Sequence, residues 1–295
     1  MGTLSQDNQT CYVVITPARD EAQHIAETIM SMVHQTTRPT EWVIVDDGST
    51  DGTGEIIDRF AAQYSWITAL HRPNRGVREN AGGVMEAFYY GYQSLKASEW
   101  DFIVKLDGDV SLNPDYFENC FKKFRQDQKL GLGGGLICHL ENGALKAEVC
   151  PRFHVRGATK IYRRACWDAI GGLLKVPGWD TVDEVKANML GWRTRTFQDL
   201  KVLHHRPTGA ADGAWKNSVK DGRADYISGY HPLFMFLKCM KRLVQEPYLV
   251  GSLGLSYGFI GGYFRGTPQV DDRGLIHYLR RQQLRRLLLL DSIWK

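Results

Sequence analysis

Four short apolar runs, Cys11–Thr16, Glu41–Val45, Trp66–Leu70 and Trp100–Leu106, punctuate the first third of the chain, and amphipathic segments separate them. Runs of this length, rich in β-branched and aromatic residues, read as strands buried on both faces. Between them, Ile25, Ile29, Met32 and Val33 recur at helical spacing, Ile56, Ile57 and Phe60 form the stripe of a second helix, and Asn80–Leu95 is a third. Strand–helix alternation confines the chain to right-handed βαβ units and an open parallel sheet. Such sheets bind ligands outside the carboxyl ends of their strands, so the residues following each strand are the ones that matter.

Beyond Asn113 the pattern loosens. Asp115–Gln126 reads as a helix, Leu130–Glu141 as a glycine-bearing strand, Ala147–Arg156 as a further strand, Arg164–Ile170 and Val182–Leu190 as helices, and Thr194–Leu203 as a closing strand. The predicted division is a catalytic α/β domain over 1–207 and a loop with a helical extension over 208–295. A chain of 295 residues with 43% hydrophobic and 24% charged residues is globular. Its formal charge of +4 is too small to argue for nucleic acid as a partner. The six cysteines are scattered without a CxxC pair and read as reduced thiols of a cytosolic compartment. The first ten residues are polar and do not read as a signal peptide.

The strand ends carry the chemistry. Pro17-Ala18-Arg19-Asp20-Glu21 follows the first strand, Asp46-Asp47-Gly48-Ser49-Thr50-Asp51-Gly52-Thr53 the second, and Asp107-Gly108-Asp109 the fourth. Ser49–Thr53 has the composition of a cap for the helix containing Ile56. Three acidic clusters at one sheet edge repel each other unless a cation or a donor-rich ligand compensates them. Asp107 and Asp109, alternating across a glycine, suit a hard divalent ion that keeps open positions for phosphate oxygens. No GxxxxGK[ST] loop is present, which argues against an NTPase, and no GxGxxG follows the first strand, which argues against a dinucleotide oxidoreductase.

The segments PARDEAQHIAETIMSM, VIVDDGSTDGT and VKLDGDVSLNPDYF, in this order and spacing, resemble family 2 glycosyltransferases of the GT-A fold. The resemblance runs from about Val13 to about Arg206. It implies a Rossmann-like mixed sheet flanked by helices and inverting transfer of a sugar from a nucleotide-sugar donor. Pro17, Ala18, Arg19 and Glu21 then line the nucleoside pocket; Asp46 accepts from the base ring N–H, with Asp47 beside it. Asp107 faces the ribose or a metal-bound water, and Asp109 holds Mg²⁺ or Mn²⁺ on the diphosphate. Asp20 stands where the family usually has Asn. Arg75 or Arg78, in the basic stretch HRPNRGVREN, is a candidate contact to donor phosphate or base.

Inverting transfer needs a carboxylate to take the acceptor proton. By resemblance it lies in PGWDTVDEVKANMLGWRT: Asp180 sits at the usual offset from Gly191-Trp192, with Trp179 replacing the usual Glu, while Asp183 and Glu184 are alternatives one turn on. Trp179 and Trp192 are candidates for a stacking surface or for core aromatics. His204 or His205, in VLHHRPTG, is a candidate third metal ligand. The absence of the processive QxxRW motif argues against long-chain synthesis. Pro247–Phe264 carries no charge, and basic residues flank it; together with LRRQQLRRLLLL it reads as a monotopic or re-entrant membrane element, with a packed hairpin and a true span as alternatives. The expected partners are a nucleotide-sugar donor, a lipid-linked or saccharide acceptor and the cytoplasmic face of a membrane, and a homo-oligomer is compatible with the sequence. Two competing readings are a membrane-associated binding or scaffold protein with a vestigial site and a sugar nucleotidyltransferase; the latter lacks its GxGxRxxP-type loop here.

Overall fold

A computed structural model of the chain describes residues 10–74, 82–206 and 213–294. Arg75 and Arg78 lie outside the described residues. The expected strands form as β1 (Tyr12–Ala18), β2 (Glu41–Asp46), β3 (Ile67–His71) and β4 (Phe102–Leu106), joined by α1 (Ile25–Val33), α2 (Thr53–Gln63) and α3 (Gly82–Gln93). β1 runs through Pro17, past the point where its hydrophobic run was expected to stop. Its pairing with β4 ends at Ile15, so the missing Pro17 N–H removes no bond on that side.

The second half supplies β5 (Val110–Leu112), α4 (Tyr116–Gln126), β6 (Leu130–Glu141), β7 (Ala144–Ala147), β8 (Thr159–Arg163), α5 (Arg164–Ile170), α6 (Trp179–Met189) and β9 (Arg193–His204). The strand expected over Ala147–Arg156 does not form. β7 closes a hairpin on β6, and the chain then wanders to β8, which sequence periodicity missed. Pro151 has no N–H for a ladder, and the five residues of β8 include two lysine or arginine side chains that mask its apolar pattern. The nine strands make one sheet in the order β3-β2-β1-β4-β8-β6-β9-β5, with β7 beside β6. The early strands pair parallel; β8 runs antiparallel between β4 and β6, so the sheet is mixed.

Alternate residues of each strand feed two cores. Tyr12 and Val14 join Ile25, Ile29, Ile57, Phe117 and Phe121 on one face. Val13 and Ile15 join Met85, Phe88, Trp167 and Ile170 on the other. Each fully buried large side chain of this kind stabilises by about 1.5–3 kcal/mol. The glycines of Gly131–Gly135 are packing glycines: a methyl on Gly134 would lie 2.3 Å from the Thr159 carbonyl oxygen.

The C-terminal segment folds as α7 (Gly213–Ile227), α8 (Pro232–Arg242), α9 (Val250–Phe264) and α10 (Arg273–Leu287). Tyr226, Met235, Leu255 and Leu275 pack with Val182 and Val185 of α6, so these helices share a core with the segment that carries the candidate base. Glycines set the closest contact: a Cβ on Gly258 would lie 2.1 Å from the Val219 carbonyl oxygen, and one on Gly222 2.0 Å from that of Leu255. Among the described residues no helix is long and apolar enough to cross a membrane. The leucines of α10 and the residues after it divide: Leu275 and Leu279 are buried, Leu284 and Leu287 are half-buried, and Leu288–Leu290 beyond α10 are exposed.

Candidate active site

The first wall is a pair of interlocked loops. After β1 the chain turns at Asp20, whose φ of 53° lies in the left-handed region that Asn and Asp tolerate better than most residues. Its carboxylate accepts from the Thr50 N–H at 3.0 Å. This turn accounts for Asp standing in a position usually held by Asn. The next loop reciprocates. Ser49 Oγ accepts from the Asp20 N–H (2.9 Å), Thr53 Oγ1 from the Glu21 N–H (2.7 Å) and Asp51 from the Ala22 N–H (3.0 Å). The expected capping of α2 is met in part: the N-cap is Gly52, in a left-handed conformation and without a side chain, Asp51 accepts from the Thr53 N–H at 3.1 Å, and the other polar side chains serve the neighbouring loop.

The two aspartates ending β2 point to opposite faces, as successive strand residues must. Asp46 accepts from the Ser49 N–H at 2.9 Å and lies 3.2 Å from His71 Nδ1, so both its oxygens are engaged inside the fold. Asp47 instead lines a cleft of about 210 Å³ with Pro17, Ala18, Arg19, Glu21, Asp107, Asp109, His204 and Arg206. Arg72 pairs with Asp47 at 2.7 Å. Arg19 is held at 3.1 Å from the Asn74 side-chain oxygen.

The second wall is the acidic turn after β4. Thr28 Oγ1 donates to the Gly108 carbonyl (2.9 Å) and accepts from the Val110 N–H (3.0 Å), fixing that turn. β5 pairs with β9 so that Val110 faces His204, which brings the His204 ring to the carboxylates. His204 Nε2 lies 3.2 Å from Asp109 Oδ1, and Arg206 donates to Asp109 Oδ2 at 3.1 Å and to Glu21. Burial raises the Asp109 pKa, but His204 and Arg206 outweigh it and hold the group at about 2. Glu21 is pushed the other way, to about 7, by burial and then by the Asp109 charge. His205 does not join the cluster. It stacks on His24 with ring centroids 4.8 Å apart and lies 2.8 Å from Ser111 Oγ.

Asp107, Asp109 and His204 each offer a ligand atom, all within 4.8 Å of one another. The Nδ1 of His204 is buried with no hydrogen-bond partner among the described residues. Two carboxylates and an imidazole are a donor set that fits Mn²⁺ or Mg²⁺ with positions left for phosphate oxygens. The residues present fit the ion.

Sequence reasoning overlooked two lysines. Lys105 on β4 and Lys160 on β8 are directly opposite in the antiparallel register, and both are buried. Like charges so placed repel. Three features relieve them. Lys105 donates to Asp107 and, at 2.7 Å, to the Gly157 carbonyl. Lys160 contacts Asp183 (3.0 Å), Glu184 (2.9 Å) and the Asp180 backbone carbonyl. The Trp179 ring lies over both ammonium groups, 5.5 and 5.3 Å from its centroid. The only clue in the sequence was a single lysine inside each apolar run. Trp192 packs against the core instead of sharing this surface.

The three candidate bases separate by environment. Asp183 is buried and receives Lys160 and the Tyr162 hydroxyl; burial raises its pKa to about 6 despite the Lys160 charge. Glu184 is fully buried and accepts from the Val155 N–H (2.6 Å), with His154 Nδ1 at 2.8 Å. Neither carboxylate is open to a substrate. Asp180 is half-buried, and its carboxylate accepts no hydrogen bond from any described residue. Burial raises its pKa, but the charges of His154, Lys160, Arg156 and Lys105 hold it below the ordinary carboxylate range. Its Cβ lies 3.9 Å from where a Gly157 side chain would start, and Gly157 is the residue that anchors Lys105 beside Asp107. We expect Lys160→Met to lower unfolding free energy by about 3–5 kcal/mol in denaturant titration, because two buried carboxylates lose their counter-charge. A loss under about 1 kcal/mol would contradict this account.

The mixed sheet, with an acidic pair and a histidine at one edge, has the GT-A fold. The chain belongs to glycosyl transferase family 2, whose family model matches residues 13–165. Over 117 residues, 40% of this chain, it is 32% identical to the chondroitin synthase of Pasteurella multocida (strain Pm70), of which the match spans 11%. Its fold is similar to that of the mannosyltransferase PcManGT from Pyrobaculum calidifontis, solved in complex with GDP-Man and Mn²⁺: the TM-score is 0.55 at 17% identity, covering 95% of this chain and 76% of that one. S. aureus TarS 1–349, solved with UDP-GlcNAc, gives a TM-score of 0.52 at 16% identity, covering 89% of this chain and 74% of that one.

Proposed function

We propose that the chain is a metal-dependent, inverting transferase that moves one sugar from a UDP- or GDP-linked donor to an acceptor hydroxyl in polysaccharide or glycolipid synthesis. The observation that carries this reading is the juxtaposition of Asp180 with the Asp107–Asp109–His204 cluster across Gly157. The nucleoside occupies the cleft between the interlocked loops. In this reading Asp47, which lines the cleft beside Arg72, faces the base N–H, and Asp46, first expected in that role, meets Ser49 and His71. Asp107, Asp109 and His204 would hold Mg²⁺ or Mn²⁺, which supplies positive charge to the leaving diphosphate. Arg206, tethered to Asp109 and Glu21, is a second cation at that end.

In one displacement the acceptor oxygen bonds to the anomeric carbon as the bond from that carbon to the diphosphate oxygen breaks. The acceptor proton passes to the Asp180 carboxylate, which is ionised at neutral pH. The test is a thermal-shift series of UDP- and GDP-sugars with and without Mn²⁺. The cognate donor should add about 2.7 kcal/mol at about 100 times its Kd. No shift with any member of the series would sink the reading.

A further inference from the structure

α9 has two unlike faces. Glycines line the inner one and draw it against α7, while Leu253, Tyr257, Ile260 and Phe264 recur at helical spacing on the outer one and are exposed, Phe264 to 86%. α8 repeats the arrangement. Met235 and Cys239 face inward, and Leu233, Phe236, Leu237 and Met240 face out, Phe236 at 60% exposure. The connection between them adds exposed Val244, Tyr248 and Leu249. An apolar surface of this extent on two successive helices needs a partner.

We propose that the outer faces of α8 and α9 dock flat on an anionic phospholipid bilayer. Charge identifies the occupant. From Pro232 to Arg265 the chain carries Lys238, Lys241, Arg242 and Arg265 against a single acid, Glu246. Asp225 neutralises Lys238 at 2.7 Å, which leaves Lys241, Arg242 and Arg265 against Glu246, an excess of positive charge bordering the apolar side chains. A second copy would bring like charges face to face, whereas anionic headgroups complement them. Phe236, Tyr248, Tyr257 and Phe264 stand among the aliphatic side chains, as aromatics do at the boundary between headgroups and acyl chains. The fifteen residues of α9 extend about 22 Å, short of the ~30 Å hydrocarbon core, so the helix lies in the interface and does not cross it. The inference does not depend on the transfer reaction.

The experiment is flotation of the full chain with phosphatidylcholine vesicles, with and without phosphatidylglycerol. Wild type should float with the anionic vesicles and lose binding as salt rises. The triple variant Phe236→Gln, Ile260→Gln, Phe264→Gln should bind at least about tenfold more weakly at an unchanged melting temperature, because all three side chains are exposed. Lys241→Glu with Arg242→Glu should reduce binding to the anionic vesicles. Absence of wild-type flotation would overturn the proposal, as would equal flotation of the triple variant. So would a dimer in sedimentation that only the triple variant loses, since that would assign the surface to a second copy.

Discussion

Asp180→Asn should lower turnover by about 10²–10⁴-fold while leaving donor affinity unchanged. The substitution keeps size and removes the charge, and the native carboxylate makes no described hydrogen bond whose loss would disturb the fold. Asp183→Asn is the informative control. It strips Lys160 and Tyr162 of a buried partner, so its main effect should be on the denaturation midpoint, with the catalytic loss following instability. The two variants are distinguished by measuring single-turnover rates on protein shown to be folded. If Asp180→Asn turned over at a near-normal rate, the proton acceptor would have to be sought elsewhere on the cleft.

Asp109→Ala should abolish metal-dependent binding of the donor nucleotide. In calorimetry, wild type should bind a nucleoside diphosphate more tightly with Mn²⁺ than without, and the variant should show only the weaker, metal-independent mode. The carboxylate sits between His204 and Arg206, which hold it ionised and ready for a cation. His204→Ala should weaken the same response less, since two carboxylates remain. Equal wild-type affinity in the presence and absence of metal would refute the assignment, and so would a variant that kept the Mn²⁺ enhancement.

Much of this was legible before any coordinates. The first four strands announce themselves because strands buried on both faces must be apolar throughout, and the acidic turns stand out against them. The acidic pair Asp107 and Asp109 was legible and the histidine only as His204 or His205; the pairing of β5 with β9 is what brings His204 to the carboxylates. Other features were not legible. The different surroundings of Asp46 and Asp47 were not legible: Asp46 meets Ser49 and His71, whereas Asp47 lines the cleft and pairs with Arg72. The choice among Asp180, Asp183 and Glu184 turns on burial by Lys160, whose strand was itself hidden by its charged residues. The uncharged run that becomes α9 was recognisable, yet which face packs inward depends on glycines whose partner, α7, lies well before it in the chain.

Ser49, Thr53 and Asp51 hold three consecutive backbone amides, those of Asp20, Glu21 and Ala22. These bonds join protein atoms alone, so this part of the pocket is held in shape by the chain itself. A donor entering it need not freeze that stretch of chain, which removes part of the ordering entropy that binding would otherwise cost. Cutting one link, as in Ser49→Ala, should therefore loosen the grip on every nucleotide alike, without changing which one is preferred.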